Sequence, residues 1–188
     1  IDRRVPSFGR ELPRAVLNAE AERAFALVER WLARKSWWHW LLRLRVDVYR
    51  SQRALALGDV AAAEGHARAV LARARHYEAR RFVAIAHSLL AEVEAESGRP
   101  ELALTELLAA VALADQLAMP LLGWRLYAGL GRLYRLQDKP DEAREAYMRA
   151  LVLVQSIAGE LRDEEPRRLF LESEVVCEVR FGARQVAC

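Results

Sequence analysis

Small and large apolar residues recur along this chain with a step of forty residues. The stretch LLAEVEAESGRPELALTELLAAVALADQLA, from Leu89, aligns without gaps on GLGRLYRLQDKPDEAREAYMRALVLVQSIA, from Gly129. Gly98 falls on Asp138, Pro100 on Pro140, Ala103 on Ala143 and Ala110 on Ala150. A third copy, ALALGDVAAAEGHARAVLARARHY, sets Gly58, Ala63 and Val70 one step upstream. A half-copy precedes it, in which Ala21, Phe25 and Val28 repeat the small-large-small spacing of Ala143, Tyr147 and Ala150. Each copy predicts two helices around a tight turn. The turn chemistry sits at Gly58-Asp59, Gly98-Arg99-Pro100 and Asp138-Lys139-Pro140: a glycine or aspartate, then residues that open a new helix. Small residues at Ala63, Ala103 and Ala143 let two helices approach, and larger ones further on fill the space between pairs. Such a pair cannot bury its apolar face alone and needs a stacked neighbour. The expected fold is all-α, built of stacked antiparallel helix pairs.

These residues resemble the tetratricopeptide repeat (TPR). Leu130-Gly131, Tyr134, the turn at Asp138, Ala143, Tyr147 and Ala150-Leu151 occupy that family's signature positions, with Tyr127 where the family prefers tryptophan. The copy at Gly98 keeps Leu90, Ala91, Ala103, Leu107 and Ala110. The copy at Gly58 departs in its first helix, where Asp47, Arg50 and Ser51 replace apolar and small residues. The resemblance covers residues 21–158 and implies a right-handed α-solenoid of about three to four repeats closed by C-terminal capping helices. Its implied organisation is a linker over 1–12, the repeat array over 13–158, and capping helices with a tail over 159–188. The tail LRDEEPRRLFLESEVVCEVR, from Leu161, is similar to the helices that close such arrays. The step exceeds the usual ~34 residues and resembles the arrays attached to large bacterial ATP-dependent signalling and transcription regulators.

Composition narrows the classes without choosing among them. The chain is 53% hydrophobic and 29% charged, enough for a core and against disorder. The charge of +3 is carried almost wholly by arginine, Lys35 and Lys139 being the only lysines. Cys177 and Cys188 have no metal-ligand spacing and no disulfide framework, so a reducing cytoplasm is the simpler expectation. No apolar run approaches the ~20 residues of a membrane span, and no charged-then-apolar leader opens the sequence. Beginning at Ile1, the chain reads as part of something longer.

Catalytic chemistry finds little support. There is no phosphate-binding loop and no nucleophile elbow, and Gly129-Leu130-Gly131 reads as a helix-packing pair by its repeat position. His39, His66, His76 and His87 show no ligand spacing, and His87 reads as a satisfied core histidine. Cys177, in the run Val175-Val176-Cys177, reads as packed. Glu92 and Glu96 share a helix face, but Arg132 lies one step on from Glu92, so an ion pair between stacked helices is the plainer reading. Neither an enzyme nor a resident cofactor or metal is expected.

Partner binding is the function that the resemblance implies, through a concave groove lined by the first helix of each pair. The corresponding positions are Arg45, Val48, Gln52 and Leu55; then Ile85, Ser88, Glu92 and Glu96; then Arg125, Ala128, Arg132 and Arg135. Arg125, Arg132 and Arg135 form a basic stripe suited to a protein or peptide with acidic or carboxylate groups. The alternative is a sensor segment of a larger ATP-dependent regulator that holds a small ligand or partner in the superhelix. A second basic cluster, Arg73, Arg75, His76, Arg80 and Arg81, sits at a corner and lacks the aligned aromatics that nucleic acid favours. The stretch KSWWHW raises one further question. Trp37 aligns with Tyr77 and Leu117 and is expected in the core. Trp38 and Trp40 either cover the N-terminal helix with Trp31, or form an aromatic surface for a second copy, a partner or further parts of a longer chain.

Overall fold

The computed structural model describes residues 14–32 and 39–184. Among them the elements are α1 (Arg14–Leu32), α2 (His39–Ala56), α3 (Val60–His76), α4 (Arg80–Glu96), α5 (Pro100–Gln116), α6 (Pro120–Leu136), α7 (Pro140–Glu160), α8 (Glu164–Leu171) and α9 (Glu174–Arg184). No strand occurs among the described residues. The chain divides into two compact units, 1–46 and 47–188, with the boundary inside α2. In the first unit Arg43 on α2 pairs with Glu29 on α1, and Leu44 and Val46 are buried.

In the second unit the helices follow a step of twenty residues, half the spacing seen in the sequence. The helices from α3 to α7 begin at residues 60, 80, 100, 120 and 140. Backbone chemistry explains the regularity. A left-handed residue ends each preceding helix: Gly58 (φ 77°), Glu78 (52°), Gly98 (70°), Ala118 (48°) and Asp138 (57°). After α4, for example, the N–H groups of Ser97, Gly98 and Arg99 donate to the carbonyls of Val93, Ala95 and Glu94 at 2.9–3.0 Å, the closing pattern of a left-handed cap. The same three bonds recur at the other four turns. Four of the five following helices start either with Asp59, whose carboxylate accepts from the Ala62 N–H at 3.0 Å, or with proline in first position at Pro100, Pro120 and Pro140, whereas α4 starts after Ala79 with neither. Turns inside a pair and turns between pairs therefore share one geometry. Glu78 and Ala118 lack the glycine or aspartate that marks the others, so they were not legible as the same turn.

Helices of nearly equal length joined by equal turns stack antiparallel, α4 chiefly on α5 and α6 chiefly on α7, as in a helical-repeat solenoid. The core runs through the small positions Ala63, Ala67, Ala84, Ala103, Ala110, Ala143 and Ala150. Each lets a facing helix approach, and Leu107, Leu126, Leu130 and Tyr147 fill the layers between. The polar residues of the third copy also fit this scheme. Ser51 occupies the small position, fully buried, its hydroxyl donating to the Ala63 carbonyl at 2.9 Å. Asp47 is buried and ion-paired with Arg73, so its charge is compensated.

The C-terminal segment closes the stack. α9 packs against α7 much as α6 packs against α5. Its Gly182 lies on one side of the Tyr147 ring and Gly131 of α6 also lies against it: an added Cβ would stand 2.5 Å and 2.7 Å from ring carbons, respectively. Two glycines thus lie close against Tyr147. α8 brings Phe170 edge-on to Trp124, ring centroids 5.8 Å apart, over Val154, Ile157 and Val176.

Candidate functional site: a concave groove on the first helices

The forty-residue step stacks equivalent residues of successive first helices. Gln52, Glu92 and Arg132 are one such column, and all three line a single pocket of about 570 Å³. Ile85, Ser88 and Arg125 join them, while Leu89, Leu107, Leu122, Leu126, Leu133 and Leu136 supply apolar walls. Val175 of α9 completes one end. An apolar surface with a few charged heads is the usual make-up of a recognition site.

The other expected lining residues lie elsewhere. Ala128 is fully buried, and Val48, Leu55, Glu96 and Arg135 do not line the pocket. Arg45 is an exposed residue of the first unit, outside this pocket's lining. The stripe of three arginines thus divides. Arg125 and Arg132, seven residues apart, face the pocket, whereas ten residues of helix turn Arg135 about 80° from Arg125. There Arg135 approaches the Tyr147 hydroxyl.

The electrostatics differ along the groove. Arg132 donates to Glu178 of α9 at 3.0 Å, not to Glu92 as the stacking had suggested. Tyr147 donates to the other oxygen of Glu178 at 3.1 Å. Burial pushes the Tyr147 hydroxyl above its ordinary range, and the Glu178 charge adds to this, so the group stays a donor. Arg125 has no carboxylate at ion-pairing distance among the described residues; its guanidinium rests 5.5 Å from the centre of the Trp124 ring. Glu92 is water-accessible, yet the concave wall surrounds it with protein. That crowding raises its carboxyl above the ordinary value, opposed by Arg132 and Arg125 and reinforced by Glu96.

The model of the tetratricopeptide repeat family matches residues 82–156, from α4 into α7. Over that stretch the chain is similar to tetratricopeptide repeats. No curated protein matches the sequence. The TPR match includes the helices that contribute Ile85, Ser88, Glu92, Arg125 and Arg132 to the groove. It also includes both partners of a polar contact on another face. There Tyr127 donates to Asp115 at 2.7 Å and Arg149 lies 5.7 Å from the Tyr127 ring. Tyr127, at the position where TPR sequences favour tryptophan, is buried with its hydroxyl satisfied.

Several expectations about single residues need correction or completion. Cys177 is exposed rather than packed, because its helix turns Val176 and Val179 inward instead. His87 is partly buried with Nδ1 2.6 Å from Glu106 Oε2, a satisfied histidine. In the corner cluster, Arg73 is engaged by Asp47 and Arg80 donates to Gln116 at 2.7 Å. Among the described residues no group of three metal-ligating side chains converges, and no helix is long and apolar enough to cross a membrane.

Trp37 and Trp38 lie outside the described residues. The residues aligned with Trp37, Tyr77 and Leu117, sit at the left-handed turns, one exposed and one partly buried. Trp40 is partly buried at the start of α2 and engaged by a neighbour; Trp31 is largely exposed.

Sequence reasoning missed the apolar walls and the α9 residues. Of the wall leucines only Leu107 stood out in the sequence, as a repeat signature, and nothing in the forty-residue step announces that Val175 and Glu178 return to the groove.

Proposed function

We propose that the chain is a non-catalytic scaffold that binds a protein or peptide through the groove of Gln52, Ile85, Ser88, Glu92, Arg125 and Arg132. The observation that carries this reading is their convergence on one pocket with apolar walls and a cation, Arg125, that has no carboxylate at ion-pairing distance among the described residues. TPR repeats typically mediate protein–protein interaction, which supports the same class. Acidic or carboxylate groups on the partner suit Arg125, whose planar donors match them. The test is cross-linking of partners to the intact chain and to an Arg125→Glu/Ser88→Arg variant, with Arg135→Glu as control. Loss of the same partners in the double variant, with retention in the control, supports the groove. Equal capture by all three rejects it.

A second reading keeps the site and changes its occupant. The pocket volume of about 570 Å³ falls within the range that holds small molecules, roughly 300–1,000 Å³. This favours a small ligand held by a sensor segment of a larger ATP-dependent transcriptional or signalling regulator. A metabolite screen by thermal shift decides between them: a small molecule that raises the melting point of the native chain but not of Ile85→Arg supports the second reading.

A further inference from the structure

A helix of the same chain already lines part of the groove. α9 contributes Val175 to the pocket lining and, three residues later, Glu178 to Arg132 at 3.0 Å. Residues three apart share a helix face, so one face of α9 presents an aliphatic residue and a carboxylate together. Two turns up α6 stands Arg125, the same kind of cation on the same face, without a carboxylate at ion-pairing distance among the described residues. Beside it lie Ile85 and Leu122, apolar and partly exposed, over the buried Leu89 and Leu126.

The lining also bears on the conformation of an occupant. An extended strand brings N–H and C=O groups that must find partners once buried. Here the polar side chains of the lining are Gln52, Ser88, Glu92, Arg125 and Arg132, and the arginines cannot accept a hydrogen bond. A helix satisfies its backbone internally and offers the groove only side chains.

We infer that the open part of the groove takes an amphipathic partner helix that repeats what α9 does: a large aliphatic residue against Ile85 and Leu122, and an aspartate or glutamate three or four positions along on Arg125. This rests on the groove-binding reading above and specifies the partner's chemistry. Charge complementarity and the α9 precedent select this occupant over an extended peptide.

The experiment pans two displayed peptide libraries on the intact 188-residue chain, one on a helix-locked scaffold and one broken by prolines so that it stays extended. Helical clones should enrich, with Asp or Glu three or four positions after a large aliphatic residue. Their affinity should fall about tenfold or more on Arg125→Gln, the loss expected for one charge-assisted hydrogen bond. Arg125 is exposed, and an unchanged circular dichroism melt confirms that the variant folds. Enrichment of extended clones that compete at Ser88 and Ile85 would overturn the helix while leaving the groove standing. Helical clones without an acid, or indifferent to Arg125→Gln, would overturn the charge pairing. If no clone from either library responds to Arg125→Gln, Ser88→Arg or Ile85→Arg, the groove reading falls as well.

Discussion

Two junctions between successive pairs solve the same packing problem differently. Where α5 meets α6, Leu107 faces Gly129, and an added Cβ would stand 3.1 Å from a leucine methyl that can rotate away. Where α7 meets α9, the rigid ring of Tyr147 lies against Gly182 of α9 and also against Gly131 of α6, and an added Cβ on either would stand 2.5–2.7 Å from it. The leucine junction tolerates change because an aliphatic end has other rotamers. The tyrosine junction does not, since the ring cannot shrink and two glycines already lie close against it. Its hydroxyl also needs a buried partner, which brings Glu178 and through it Arg132 into one network. The first junction passes the repeat on; the second ends it, and it fixes α9 beside the groove.

The largest expected effect separates these junctions directly. Gly131→Ala and Gly182→Ala should each lower stability by about 2 kcal/mol, overpacking outweighing the ~1 kcal/mol gain in helix propensity. Gly129→Ala should be neutral or stabilising for the same propensity reason. Urea melts of the three variants check this, and equal losses at all three would erase the distinction. Next comes Tyr147→Phe, which keeps the ring and removes the bond to Glu178. A loss of about 1 kcal/mol is expected. The Arg132–Glu178 pair should survive, so Arg132→Gln should move the Glu178 carboxyl resonance by the same amount in the wild-type and Tyr147→Phe backgrounds.

The turns serve as a control on that contrast, because all five have one geometry. Gly98→Ala should cost about 1 kcal/mol, and Ala118→Gly should gain about 0.5–1 kcal/mol, whichever side of a pair the turn joins. Opposite signs in thermal melts confirm it; the same sign for both would mean the turns are not equivalent. The smallest effect concerns the charges each repeat sets in the groove. Arg132 of the last pair is engaged by Glu178, whereas Glu92 of the preceding pair carries a raised carboxyl. A carboxyl raised on folding takes up protons more readily in the folded state, so stability falls as pH rises from the ordinary 4.5 through the raised value. Glu92→Gln should therefore melt slightly higher than wild type at pH 7, by well under about 1 kcal/mol since the group is water-accessible. The gain should vanish below pH 4.5.

Much of this was legible in particular residues. The pairing of Ala103 with Ala143 and Gly98 with Asp138 located helices and turns because small side chains and left-handed turns are local demands. The column Gln52, Glu92 and Arg132 followed from the same step, since equivalent residues of stacked helices must lie in line. Arg135 was misjudged because a stripe read by spacing alone ignores the 80° that ten residues add. Ser51 and Asp47 looked like departures because a sequence does not show that the Ala63 carbonyl and Arg73 stand ready for them.

The sequence by itself determined the repeat, the helix class and the first-helix residues that share a face, all consequences of backbone periodicity and side-chain size along one dimension. Only the tertiary structure decided that Arg132 is taken by Glu178 while Arg125 is not, that two glycines lie close against Tyr147, and that α9 lies at the groove. Those outcomes depend on residues 46 and 51 positions apart meeting across helices, and no local rule links Arg132 to Glu178 or Gly131 to Gly182 until the chain has closed on itself.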